Sequence, residues 1–472
     1  MIETTAAAGW PSLTELRGRL HRGETTAGEL LSACLDRIGA LDPLVRAVLA
    51  VDPTARAQAR ESERRIAAGT ARPLEGVPVL VKDNIDTAGL ATTAGSRLLA
   101  GSPPRRDADV VTRLRRTGAV LLGKTNMSEW GNFRSTGATE GWSAVGGQTW
   151  NPHVLDRSPG GSSSGSAAAV AAGMAPLALG TETDGSVVVP AALTGVVGVK
   201  PALGLLPGRG VVPVSRVQDV VGVLAGTVSD AAGCLAALTG LPPRAPVPVR
   251  GLRLGLWRGR RMNQEVLARL DLVADELRLA GVVVVPVELP WEVPPLVDGM
   301  DALLAEFRVG LEGYLAARRA PVGSLADLLA GNSRDALELS LFGQDVLERA
   351  AGVTAEQVAE AGPKRARARR WARDAVDRVL AEHSLTAVVA PTSEPAWRVD
   401  HGAGDPPARN TSTIPALAGL PNLTVPTGFI GALPFGVSVF GPADTFAALA
   451  VAEAVEAVCG ERRAPAFLPT TG

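Results

Sequence analysis

The reactive groups of this chain gather in three short stretches. One is a lysine closing an apolar run, Gly76-Val77-Pro78-Val79-Leu80-Val81-Lys82-Asp83. The others are loops rich in glycine and hydroxyls: Gly160-Gly161-Ser162-Ser163-Ser164-Gly165-Ser166 and Gly180-Thr181-Glu182-Thr183-Asp184-Gly185-Ser186. A serine hydroxyl is a weak nucleophile until a base takes its proton. A lysine is that base only when neutral, which requires desolvation or nearby positive charge. A central strand would desolvate Lys82; the more ordinary reading of an isolated strand-end lysine is a surface charge paired with Asp83.

Other chemistries lack their residues. A metal site needs clustered His, Cys or carboxylates, and His21, His153, His383 and His401 show no HExxH or similar spacing. A Ser-His-Asp triad would pair a histidine with a GxSxG elbow, but Ser186 sits in Asp184-Gly185-Ser186-Val187. His153, the nearest in sequence, reads as a solvated loop residue. No GxxxxGK[ST] phosphate loop is present. No metal or cofactor is expected.

The elements that must position these groups follow from periodicity. Leu13, Leu16 and Leu20, then Leu30, Leu31, Leu35 and Ile38, repeat at helical spacing. Gly76 to Asp83 reads as a buried strand, 110–116 as a helix and 119–122 as a strand. The Ser/Gly turn feeds an alanine-rich helix at 167–172, placing hydroxyls and free N–H groups at its start. Strands follow at 177–179 and 196–199, with Gly180 to Ser186 a tight loop between them. From 289 to 377 the pattern turns helical and charged, with a basic stretch, Lys364 to Arg373, that reads as a solvated helix face. Strands at 387–390 and 423–425 and a helix at 447–458 close the chain. One large α/β domain fits.

The 472 residues carry 47 basic and 48 acidic side chains, so nothing favours nucleic acid or an anionic membrane as partner. Cys34, Cys234 and Cys459 are scattered and form no CxxC, which suits a reducing compartment. The start lacks a basic segment before an apolar run, so no signal peptide is expected. A cytoplasmic protein, monomer or homodimer, is the expectation.

Val81-Lys82-Asp83-Asn84-Ile85, Ser158-Pro159-Gly160 through Gly165, and Gly180 to Ser186 with Pro190-Ala191 together resemble the ordered motifs of the amidase signature family. Gly123 to Glu129, Gly198 to Pro201 and Gly419 to Gly428 extend the resemblance over nearly the whole chain. It implies a single domain over 1–472, a mixed, twisted central β-sheet covered by helices on both faces. The catalytic core would span about 60–230 and 385–465, with a helical, substrate-shaping region at about 289–377. It also implies a Ser-Ser-Lys triad of Lys82, Ser162 and Ser186, with Ser163 and Ser164 competing for the bridging place. Ser162 is favoured because it directly follows the paired glycines. Backbone N–H groups of Thr183, Asp184, Gly185 and Ser186 would form the oxyanion hole.

Departures from the family loop shape the expected substrate. Glu182 replaces an Asp, Asp184 a Gly, and Val188 stands where Arg is usual. The lost arginine removes a ligand for a substrate carboxylate or for an acidic loop partner. With Asn126 to Trp130, Gly147-Gln148-Thr149 and Phe342-Gly343-Gln344, the loop looks most like the peptide amidase branch, which hydrolyses C-terminal carboxamides. Trp130, Phe133 and Trp142 are candidates to line a cleft for a small or short-peptide amide. The alternatives are the A subunit of a glutamine-dependent aminoacyl-tRNA amidotransferase, or a non-catalytic binding protein on the same scaffold.

Overall fold

The computed structural model describes residues 9–290, 293–407 and 409–471. Thirteen strands are described: β1 Val48–Val51, β2 Pro78–Lys82, β3 Val120–Thr125, β4 Trp142–Ser143, β5 Gly147–Gln148, β6 Leu177–Glu182, β7 Val197–Lys200, β8 Val220–Ala225, β9 Arg253–Trp257, β10 Val283–Val287, β11 Ala387–Pro391, β12 Asn422–Ile430 and β13 Leu433–Phe440. Eleven form one sheet in the order β1-β3-β2-β6-β8-β7-β12-β13-β11-β9-β10, and β4 pairs with β5 alone. The sheet is mixed: β2 runs parallel to β3 and β6, while β6, β8, β7 and β12 alternate antiparallel.

Alternating side chains point to opposite faces of a strand, and here both faces are apolar. Val79, Val81, Leu177, Leu179, Val221 and Val223 join one buried cluster. Leu80, Ala178 and Leu224 join another with the N-terminal helices and the alanine helix. The helix Ala27–Val45 starts in a capping box of Thr26 and Glu29. The sheet is therefore covered on both sides, and β2, between β3 and β6, is an interior strand.

Two expectations change. The 180–186 loop is shorter, because β6 continues through Glu182 and only residues 183–186 turn. The basic stretch is not simply solvated. The antiparallel helices Val293–Arg318 and Ala355–Glu382 bury Arg365 between them. Its Nε and Nη2 donate to Glu306 at 3.0 and 2.8 Å, and Nη1 donates to Gln218 Oε1. The carboxylate that pairs with this buried arginine lies 59 residues away, beyond the reach of a local charge pattern. Glu306→Gln would leave a buried cation without its partner, so unfolding free energy should fall by about 3 kcal/mol, read by urea denaturation. An unchanged midpoint would refute that weight for the pair.

Candidate active site

Lys82 ends β2 with no solvent exposure. Its Nζ lies 2.8 Å from Ser162 Oγ, 2.9 Å from Thr181 Oγ1 and 3.2 Å from the Thr181 carbonyl. A neutral amine has two N–H donors and one lone pair; with its two N–H groups on the two oxygens of Thr181, its lone pair would turn toward Ser162 Oγ. Burial lowers the Lys82 pKa to about 7, against the opposing charges of Asp219 and Glu182. Asp83 is not its partner. It lies 3.5 Å from Lys124 and accepts from Thr93 N–H at 3.1 Å.

The other serines of the glycine-rich turn are committed to backbone. Ser163 Oγ donates to the Thr181 carbonyl at 3.1 Å, Ser164 Oγ to Gly160 at 2.6 Å, and Ser166 Oγ to Leu179 at 3.0 Å. Ser162 alone among them faces the lysine. The turn is packed so closely that a Cβ at Gly161 would fall 2.3 Å from Ser128 Oγ. Ser186 approaches the same turn through backbone, its carbonyl accepting from Ser163 N–H at 3.1 Å. Among the described hydrogen bonds none joins its hydroxyl to Ser162.

The N–H groups of Thr183, Asp184, Gly185 and Ser186 find no acceptor among the described hydrogen bonds. Four consecutive free donors beside a serine are suited to a developing oxyanion. Gly185 holds φ +80°, and a Cβ there would meet Ser412 Oγ at 2.9 Å, so glycine answers both backbone and space. Asp184 is not among the positive-φ residues; its carboxylate accepts from Ser412 Oγ. Glu182, buried, accepts from Val187 and Val188 N–H at 2.8 and 3.0 Å, holding the end of the turn. Val188 is buried among Val154, Leu193 and Leu433.

Several groups around the site carry no signal in the local sequence. Asp219 accepts from Thr183 Oγ1 at 2.6 Å and from Val214 and Ser215 N–H at 2.9 Å. Gln218 Nε2 donates to the Thr183 carbonyl at 2.8 Å, tying the turn to Arg365. Lys200 is buried, its pKa lowered to about 8 by burial against Glu182 and Asp184. For Asn84 and Lys200, membership of the family motifs is the only signal. Trp130 lines a recess beside Ser162. Phe133 packs on Phe307 at 4.9 Å, and Trp142 meets Phe342 edge-on at 5.0 Å. His153 is buried, not solvated: Nε2 sits 3.1 Å from the Thr194 carbonyl, and burial lowers its pKa to about 4.

A buried lysine against one serine, beside a second serine in a turn of free N–H groups, is equipment for acyl transfer. The class is thus an acyl-transferring enzyme on a doubly covered mixed sheet. The Amidase family model matches residues 29–445. The chain belongs to the amidase signature family and is an amide-hydrolysing enzyme. Crystal structures of peptide amidase are similar: the native enzyme from Stenotrophomonas maltophilia is 42% identical, with TM-score 0.91 over 97% of this chain and 98% of that one. The peptide amidase complex with the competitive inhibitor chymostatin is 43% identical, with TM-score 0.91 over 97% and 99%. A probable amidase of Arabidopsis thaliana is 36% identical over 93% of this chain and 88% of its own length. The A subunit of the glutamyl-tRNA(Gln) amidotransferase of Roseiflexus castenholzii is 37% identical over 95% of each. No described helix is long and apolar enough to cross a membrane.

Proposed function

We propose that the enzyme hydrolyses the C-terminal carboxamide of a peptide or amino-acid amide to the carboxylate and ammonia, through an acyl-enzyme on Ser186. The observation that carries the chemistry is the buried Lys82 amine set against Ser162. Lys82 accepts the Ser162 proton, and Ser162 takes the Ser186 proton as Ser186 Oγ bonds to the amide carbon. The C–N bond then breaks, and the proton returns through Ser162 to the leaving nitrogen. Water repeats the sequence on the ester and frees Ser186. The relay requires the Ser186 hydroxyl to turn toward Ser162 when substrate binds, a tightening common in catalytic sites. Thr183 to Ser186 N–H groups hold the oxyanion.

The substrate class rests on the likeness to peptide amidase and on the buried Val188, which cannot pair with a substrate carboxylate as an arginine would. The test compares ammonia release from a dipeptide carboxamide and from malonamate. The dipeptide amide should be preferred by at least about tenfold, a modest charge-recognition effect; preference for the anion would overturn this substrate class. The likeness to the tRNA-dependent amidotransferase supports a second reading, glutamine hydrolysis within a complex. Ammonia release by the isolated chain from simple amides, with glutamine no better, decides against it.

A further inference from the structure

The helices Val293–Arg318 and Ala355–Glu382 meet the Arg216–Val217 segment around an open groove of about 500 Å³. None of Lys82, Ser162 or Ser186 lines it. Its volume lies in the range of small-molecule sites, which are mostly apolar with a few placed polar groups. Val217, Val309, Val358, Ala361 and Ala366 supply apolar surface, and Val217 and Val309 are 47% and 54% exposed. Solvent-facing apolar side chains gathered in one concavity mark a binding surface, whereas isolated ones do not.

The charges on this groove do not balance. Arg216, Arg365, Arg369 and Glu306 all line it. Glu306 is already engaged: Arg365 donates to it at 3.0 and 2.8 Å, and Ser215 Oγ at 2.6 Å. Arg216 and Arg369 pair with no carboxylate among the described residues. Arg216 Nη2 donates to the Gly310 carbonyl at 3.4 Å, and Arg369 Nη2 to the Val217 carbonyl at 2.5 Å. Because Val217 follows Arg216, both arginines meet at the same short segment of wall. Burial, with the neighbouring Arg365 charge, lowers the Arg369 pKa, as it does for a cation short of counter-charge. The groove thus sets hydrocarbon surface beside two uncompensated guanidiniums, the planar forks that suit carboxylates.

We propose that this groove is a second ligand site, which takes an aliphatic carboxylate with its head on Arg216 and Arg369 and its chain on the valines and alanines. The site goes beyond the amidase chemistry and does not depend on it. Arg365 shares the groove wall and donates to Gln218, which donates to the Thr183 carbonyl at 2.8 Å. Two side chains therefore link the groove to the 183–186 turn.

Isothermal titration calorimetry with octanoate, decanoate and dodecanoate, each below its micelle concentration, tests this. One molecule should bind per chain, about tenfold more tightly for every two carbons added, the weight of two buried methylenes. Decyltrimethylammonium, with the same chain and the opposite charge, should not bind. Arg216→Gln and Val309→Glu, both at exposed positions, should each weaken decanoate about tenfold or more with circular dichroism unchanged. Failure of decanoate to bind, equal affinity across the chain lengths, binding of the cation, or unchanged affinity in Val309→Glu overturns the site. Labelling Ser186 beforehand with a sulfonyl fluoride should leave decanoate binding as it was. Loss of binding on labelling places the carboxylate in the catalytic cleft and overturns the groove, while the amidase reading stands. Self-association in sedimentation that Val309→Glu abolishes, with no decanoate bound, gives the groove to a second copy of this chain and likewise overturns the proposal.

Discussion

Ser186→Ala is expected to lower kcat for carboxamide hydrolysis by about four to six orders of magnitude, with little change in KM, because the acyl-enzyme no longer has an oxygen to form on. The free N–H groups of 183–186 survive this change, so substrate still binds and residual turnover comes from oxyanion stabilisation alone. The variant should remain folded, since the Ser186 side chain makes no described hydrogen bond and alanine suits the turn. Mass spectrometry after treatment with a sulfonyl fluoride gives a direct check: one adduct on the wild type, none on Ser186→Ala. A labelled variant, or residual activity above about one per cent of the wild type, is incompatible with this nucleophile given the magnitude above. Ser162→Ala should be milder, because a water can bridge the gap it leaves to Lys82.

Lys82→Ala carries the second large effect, a loss of about two to four orders of magnitude in kcat, the range of a positioned general base. The sign of the pH dependence follows from the environment. An ordinary lysine at pH 7 is neutral in only about one molecule in three thousand. Burial brings Lys82 to about 7, where half are neutral. Only the neutral amine is a base, so wild-type kcat/KM should rise through pH 7 and level off above it. The rise should disappear in Lys82→Ala, while circular dichroism shows the fold retained. A wild-type profile that falls through this range, or an unchanged rate in Lys82→Ala, refutes lysine as the base.

Much of the fold is legible in the residues themselves. The strand over Gly76 to Asp83, the alanine helix and the N-terminal helices declare themselves because their apolar periods reach the core from one short segment. Boundaries fail where a partner strand decides: pairing with β8 extends β6 through Glu182, and nothing local announces that. Arg365 and His153 read wrongly for the same reason, since each is buried by residues distant in sequence.

The sequence by itself determined which groups this amidase has for its chemistry: one lysine behind an apolar run, two hydroxyl-rich turns, and a family resemblance that orders them. The resemblance favoured Ser162 to meet the lysine, but the residues alone did not separate it from Ser163 and Ser164, which are chemically identical and adjacent. The tertiary structure decided that by committing the hydroxyls of Ser163, Ser164 and Ser166 to backbone carbonyls and leaving Ser162 against Lys82. It also brought the lysine's pKa down to about 7, because burial strips water from the charged form. That depends on β3 and β6 closing over β2, a contact among strands up to about 100 residues apart.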